Sequence, residues 1–334
     1  MHVVADRWYA VLPSAEVPAG RPHGARVFGL DLVFWRDDAG IVHAGSDRCP
    51  HRHAALSLGT VKDGCVECPF HGFLFDRDGA CTHIPAHPDR RIGPSMSMPM
   101  LHVREAHDLI WAWTGAQAPP ADPIPFFDFS GHSWAGSAKS VEWDVHYTRS
   151  VENQLDFPHL PFVHATTIGR FVESEAMEVV TELEGDHLRA WVAGQDAGFI
   201  EFIGPNIWRL RTGPKVLQFL AFVPVDDTSM RYLTRTYQGM VTVPGVDWLL
   251  GAISRLANRF VLDQDRRVVE SQPRGEVRLR MDERLIPADG PILAYRRWRE
   301  DKRVDAETLL QRRVRPNQQR PPTSPPSDGA DEAA

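Results

Sequence analysis

The residues best able to do chemistry stand in two short segments. The first holds Cys49-Pro50-His51 and, after sixteen intervening residues, Cys68-Pro69-Phe70-His71-Gly72. Each half is a mixed Cys/His pair on what reads as a loop between strands. Thiolate is a soft ligand for cluster iron, and imidazole can replace it on one of two irons. Two Cys and two His therefore suit a 2Fe–2S cluster whose potential the His ligands raise. The close spacing within each pair lets each loop reach both irons. The flanking prolines and Gly72 stiffen the loops and let backbone approach the sulfides. Two Cys and two His also suit tetrahedral zinc, and Cys65-x-x-Cys68 has zinc-like spacing. Zinc motifs usually group Cys with Cys and His with His, whereas each pair here is mixed, which favours the cluster. Cys65 and Cys81 fall outside this set and read as semi-buried thiols. His83 and His87 read as structural or exposed.

The second segment, Val151–His164, is VENQLDFPHLPFVH. His159 and His164, with a distant carboxylate, would form a two-His, one-carboxylate facial triad with positions open for dioxygen on ferrous iron. Asp156 stands three residues before His159, on the same side of a helical turn. There it can accept a hydrogen bond from the non-ligating nitrogen and fix the tautomer. A separation of five residues is not an ideal helical spacing, and Pro158 and Pro161 distort any helix here. Spacing alone leaves open a plain pair of surface histidines.

These segments need elements to hold them. Trp8–Thr114 reads as β-rich. Leu32–Trp35, Ile41–Ala44, Phe70–Phe75 and Leu109–Trp113 are extended runs, and Asp78-Gly79 is a hairpin-turn signal. Prolines then crowd Gly115–Pro125 and mark a linker. The later half mixes strand-like runs at Leu188–Val192, Trp208–Arg211, Leu217–Val223 and Tyr232–Tyr237 with helical patterns at Trp248–Leu262 and Asp289–Arg299. Strands and helices do not alternate, which favours an α+β fold: an all-β N-terminal domain, then an antiparallel sheet with helices in a helix-grip-like arrangement. The expected division is 1–115 for the cluster domain, 116–136 for the linker, 137–314 for the catalytic domain and 315–334 for a disordered tail. The Arg-rich stretch Arg296–Gln319 reads as a solvated helix face. Phe202, Leu217, Phe219 and Trp248 read as core.

The chain has 334 residues, is 43% hydrophobic and carries a net charge of -7. That length suits two domains, and the charge disfavours nucleic acid as a partner. Its four cysteines fit a reducing compartment. Met1–Ala10 has no apolar core of the signal-peptide kind, and the most apolar later stretches are too short or too polar to span a bilayer. The expectation is a soluble, cytoplasmic protein.

Residues Asp47–Pro85 resemble the Rieske domain of ring-hydroxylating and demethylating oxygenases. One departure is His53, where that family usually has Gly. Asn153-x-x-Asp156-x-x-His159-x-x-x-x-His164 resembles the family's iron motif. Val261–Gln272 resembles the segment bearing the third ligand, which makes Asp265 the carboxylate and Asp263 the alternative. The resemblance covers roughly Arg7 to Arg299 and lies closer to the demethylase and C–H hydroxylase branch than to ring dioxygenases with a small second subunit.

The resemblance implies one 2Fe–2S cluster and one mononuclear Fe(2+) per subunit. Electrons would come from NADH or NADPH through a separate reductase, with or without a ferredoxin, since no nucleotide or flavin motif is present. It also implies a head-to-tail homotrimer in which Asp156 bridges His71 of one subunit to His159 of its neighbour. The implied reaction is hydroxylation or O- or N-demethylation of an aromatic, polycyclic or alkaloid-like small molecule. A cis-dihydroxylating ring dioxygenase and a purely electron-transferring Rieske protein are the alternatives. The sequence does not name the substrate.

Overall fold

The computed structural model describes residues 1–130, 132–137, 140–173, 175–194, 198–211, 216–238 and 246–310, with the side chains of 133–137, 171 and 246–257 excepted. The expected tail, 315–334, lies outside the described residues. The N-terminal half is built from short antiparallel strands. Met100–Leu101, Val42–Ser46, Leu30–Arg36 and His23–Val27 form one sheet in that order. Val103–Ala106, Leu109–Trp113 and Trp8–Pro13 form another. A third sheet runs Thr60–Lys62, Cys65–Glu67, Leu74–Phe75 and Cys81–His83, and it carries the second Cys/His loop. The expected strand Phe70–Phe75 shrinks to its last two residues. The Cys68–Gly72 turn, closed by Gly72 N–H donating to Cys68 O at 3.0 Å, takes up the rest.

The C-terminal half is an eight-stranded antiparallel sheet. Its main path is Ser133–Ser137, Met230–Gln238, Val216–Pro224, Ile207–Arg211, Phe199–Ile203, His187–Val192 and Val179–Glu184, and Val141–Trp143 also pairs with Met230–Gln238. Four α-helices lie among the described residues: α1 (Tyr147–Leu155), α2 (Leu160–Val163), α3 (Val246–Val269) and α4 (Gly290–Glu300). Successive strand side chains point to opposite faces. One face of this sheet therefore buries Phe202 against Tyr295 and Trp298 of α4, with ring centroids 5.4 and 6.1 Å away. None of the described helices is long and apolar enough to cross a membrane.

The halves interlock. Strand His2–Val4 pairs with Arg303–Asp305 near the other end of the described chain. The buried Asn206 amide accepts from Ala10 N–H at 3.1 Å and donates to Ala10 O at 2.9 Å. One apolar core runs from Trp8 and Trp113 through Trp143 to Trp298. A separate small core of Val33, Trp35, Leu56, Val66, Phe73, Phe75 and Met98 encloses Cys49 and Cys68.

The expected solvated face from Arg296 onward is corrected within its described part. Arg296 and Arg299 are 3% and 2% exposed. Arg296 donates to both Glu152 oxygens at 2.6 and 2.9 Å and to Glu283 at 2.6 Å, while Arg299 meets Glu276 at 2.7 Å. Acidic partners brought in from distant segments let these guanidiniums be buried as paired charges.

Candidate metal centres

The two Cys/His loops share one backbone design. Cys49 N–H donates to Ala54 O at 2.9 Å, and His53 N–H returns to Cys49 O at 2.8 Å. Likewise Cys68 N–H donates to Phe73 O at 2.8 Å, and Gly72 N–H to Cys68 O. The fourth residue after each Cys is left-handed, with φ 59° at His53 and 67° at Gly72. His53 thus occupies a conformation that glycine reaches without a Cβ penalty, which gives the unusual residue a physical meaning.

The thiols are buried and the imidazoles exposed. His51 and His71 hold their rings 4.7 Å apart, and Phe73 stacks on His51 at 4.7 Å. Burial pushes the Cys49 thiol up to about 11, only partly opposed by the His51 backbone N–H. A soft cation that takes a thiolate fits such a pair. Cys81 is buried, Cys65 is half-buried, and neither is in a disulfide.

At the other site, α1 ends at Leu155. Asp156 caps it in an extended conformation, so the expected shared helical turn with His159 is absent. Asp156 Oδ2 still reaches 3.8 Å from His159 Nδ1, a charge contact longer than a hydrogen bond. The expected tautomer-fixing bond to His159 is therefore not formed in this structure. Burial, followed by the neighbouring Asp289 carboxylate, raises Asp156 to about 6.

His159 and His164 flank the single turn of α2, one before Leu160 and one after Val163. This turn, Pro161 within it, brings together two histidines that regular helical spacing would separate. A Cβ on Gly169 would collide with Leu160 O, so the following loop can close over α2 only with glycine there. Asp265, 1% exposed, arrives from α3. His159 Nε2 and His164 Nε2 lie 3.5 and 3.0 Å from the same Asp265 oxygen, Oδ1. That buried oxygen makes no hydrogen bond. One donor atom from each of the three residues falls within 4.8 Å of the other two. Asp263 stands on the exposed side of α3.

Several supporting residues escaped the sequence reading. Gln264 Oε1 is 3.0 Å from His164 Nδ1, and Gln154 Nε2 donates to Asp265 Oδ2 at 3.2 Å. Trp208 Nε1 donates to Gln154 O at 3.0 Å. Only Gln264, adjacent to Asp265, had a positional signal. Burial lowers His159. At His164 burial acts in the same sense, but the adjacent Asp265 carboxylate and the Gln264 carbonyl outweigh it and raise the ring. Asn153 sits on α1 with its buried Nδ2 lacking a hydrogen-bond partner.

The three donors open into a cavity of about 330 Å³. Its apolar wall includes Ile200, Trp208, Leu210 and Leu220, and its polar part includes Gln218, Thr234, Thr236 and Asn258. Of the residues expected in the core, Phe202 and Leu217 are buried, and Phe219 is buried but also borders this cavity. The Trp248 side chain lies outside the described residues.

Residues 7–100 match the Rieske [2Fe-2S] domain family, and residues 204–305 match the vanillate O-demethylase oxygenase C-terminal domain family. The chain thus joins a Rieske [2Fe-2S] domain to an oxygenase C-terminal domain of the vanillate O-demethylase type. It is 34% identical over 182 residues to the vanillate O-demethylase oxygenase subunit of a Pseudomonas species, covering 53% of this chain and 52% of that one. It is also 34% identical over 168 residues to the toluene-4-sulfonate monooxygenase system iron-sulfur subunit of Comamonas testosteroni, covering 50% and 48%. The chain thus spans about half the length of the curated relatives it matches. Among solved structures, NdmB of Pseudomonas putida CBB5 superposes with TM-score 0.75 at 25% identity, covering 88% of this chain and 89% of that one. Dicamba monooxygenase bound to dicamba superposes at 0.70 and 21%, covering 89% and 96%, and shares the fold. The chain therefore has an all-β N-terminal Rieske domain and a C-terminal antiparallel sheet with few helices, as its sequence implies.

Proposed function

We propose that this chain is the oxygenase component of a multi-component system that hydroxylates or O- or N-demethylates an aromatic, polycyclic or alkaloid-like small molecule. The observation that carries this reading is the meeting of His159, His164 and Asp265 on one buried point at the base of a mainly apolar cavity. Cys49, His51, Cys68 and His71 would hold the 2Fe–2S cluster. His159, His164 and Asp265 would hold a mononuclear Fe(2+). When bound, the cluster supplies single electrons and the ferrous ion a place to activate dioxygen.

The chain's own residues position and protect. Asp265 Oδ1 offers an uncommitted lone pair, while Gln154 holds its other oxygen. Gln264 keeps the His164 Nδ1 proton on the outer side of the ring, so that Nε2 faces the ion. Trp208, Leu220 and Ile200 exclude water beside the reacting carbon.

A separate NADH- or NADPH-dependent reductase, with or without a ferredoxin, would supply electrons. A head-to-tail homotrimer would place the partner subunit's His71 against Asp156, which carries electrons to His159, with Asn153 beside it. A ring of heterologous contacts can close at three. A cytoplasmic setting suits four cysteines in no disulfide.

The test is oxygen uptake by the iron-loaded protein with a reductase and NADH, across methoxy-, N-methyl- and methyl-substituted aromatics. Substrate-dependent uptake with formaldehyde or alcohol as product is expected. A reduced cluster that consumes no oxygen with any of them would favour the electron-transfer alternative.

A further inference from the structure

The cavity wall opposite the iron triad carries a pattern that deepens the oxygenase reading and rests on it. Cross-strand register sorts the wall into rows. Trp208 pairs with Leu220, and Leu220 with Thr234. Two residues further along the strands, Ile200 pairs with Leu210, Leu210 with Gln218, and Gln218 with Thr236. Trp208 is tied through Gln154 to Asp265, so the first row stands nearer the iron triad.

The second row ends in a chain of neutral polar groups. Gln218 Nε2 donates to Asn258 Oδ1 at 2.9 Å, and Asn258 Nδ2 donates to Thr236 Oγ1 at 3.0 Å. Asn258 precedes Asp265 by seven residues on α3. At ~1.5 Å per residue this places it roughly 10 Å from Asp265 along the helix axis and on nearly the same face. Each carboxamide has more donors and acceptors than this chain of bonds uses. In the first row, Thr234 is 4% exposed, lines the cavity, and its Oγ1 has no hydrogen-bond partner.

Charge is placed elsewhere. Among the described residues lining the cavity, the charged groups are Asp156, Asp265 and Arg235. Arg235 sends its guanidinium to the other side of the sheet, donating to His107 O at 2.6 Å and Asp108 O at 2.8 Å. An anionic substrate would find that guanidinium already engaged, leaving only the charge of the bound iron to pair with it.

We propose that the substrate is an uncharged molecule bearing a carboxamide, lactam or ketone carbonyl, and that Gln218 and Asn258 grip this group while the carbon to be oxidised sits beside the iron triad. The apolar rows between fit a planar ring. Gln218 and Asn258 are specificity residues, because a site built to hydrogen-bond a polar group rejects analogues that lack it far more strongly than an apolar wall can.

The test is calorimetric binding to the iron-loaded full-length protein, kept free of oxygen, of three probes on one skeleton: 4-methoxybenzamide, 4-methoxybenzoate and 4-methylanisole. The amide is expected to bind at least about tenfold more tightly than either of the others. Asn258→Leu and Gln218→Leu should each erase that preference while iron content stays that of the parent. Two variants on different elements guard against one failing to fold. Benzoate binding as tight as amide binding, a preference unchanged in both variants, or no binding by any probe would overturn the proposal. Formaldehyde release with a reductase is scored separately. Amide-selective binding without formaldehyde would refute the oxygenase reading while the recognition stands.

Discussion

His164 Nδ1 lies 3.0 Å from Gln264 Oε1, and Thr167 Oγ1 donates to that same oxygen at 2.9 Å. The amide is oriented from its other end, where Gln264 Nε2 donates to Thr166 Oγ1 at 3.2 Å. The carbonyl oxygen therefore faces the imidazole, the ring proton sits on Nδ1, and Nε2 is left with its lone pair toward Asp265. Replacing Gln264 with Leu removes that orientation without touching a donor atom. The expected result is a loss of about 10–100-fold in affinity for ferrous iron, read by equilibrium dialysis, with the cluster spectrum unchanged. Unaltered iron affinity would show that the tautomer is set elsewhere.

Asp156 is half-buried beside His159 and is not one of the three converging donors. Asp156→Asn should keep both metals and lose most turnover, because the electron route between centres is cut while each centre stays assembled. Rapid-freeze spectroscopy of the reduced variant should find the cluster holding its electron. Turnover close to that of the parent protein would refute the bridge.

His53 holds a left-handed backbone, and its loop twin Gly72 does the same. A left-handed conformation costs a residue with a Cβ about 1–2 kcal/mol, and histidine tolerates it better than most. His53→Gly should therefore stabilise the folded chain by up to ~1 kcal/mol. The exposed side chain should leave cluster potential and turnover as they were. Thermal unfolding with a redox titration checks both parts, and a shifted potential would give His53 a role beyond the turn.

The buried pair of Arg296 with Glu152 makes a different prediction. Arg296→Met leaves Glu152, 6% exposed, facing a gap. Breaking such a pair from one side should cost about 3–5 kcal/mol. The double variant Glu152→Leu/Arg296→Met should recover much of that loss. Urea unfolding of the single and double variants measures the difference, and equal losses would mean the charges contribute through other partners.

These cases mark what the sequence made legible. The Cys/His loops were readable because each pair is local and its chemistry depends on residue type alone. The β-rich half and most strands followed from alternation and turn residues. Asp265 was reachable only through family resemblance, since no local pattern links it to histidines a hundred residues earlier. The helical relation assumed for Asp156 and His159 failed because α1 stops one residue before Asp156. Arg296 and Arg299 were misread because their acidic partners come from other segments. The cavity wall stayed invisible for the same reason: Gln218, Thr236 and Asn258 meet only once two strands are in register and a helix crosses them.

The measurement that bears most directly on the whole account is metal and acid-labile sulfide content, with electron paramagnetic resonance of the reduced protein, for the parent chain and Asp265→Ala. The parent should hold about three irons and two labile sulfides per chain and show a Rieske-type signal. The variant should keep the sulfides and the signal while losing one iron. Zinc in place of iron, no labile sulfide, or a third iron that survives the loss of Asp265 would contradict it.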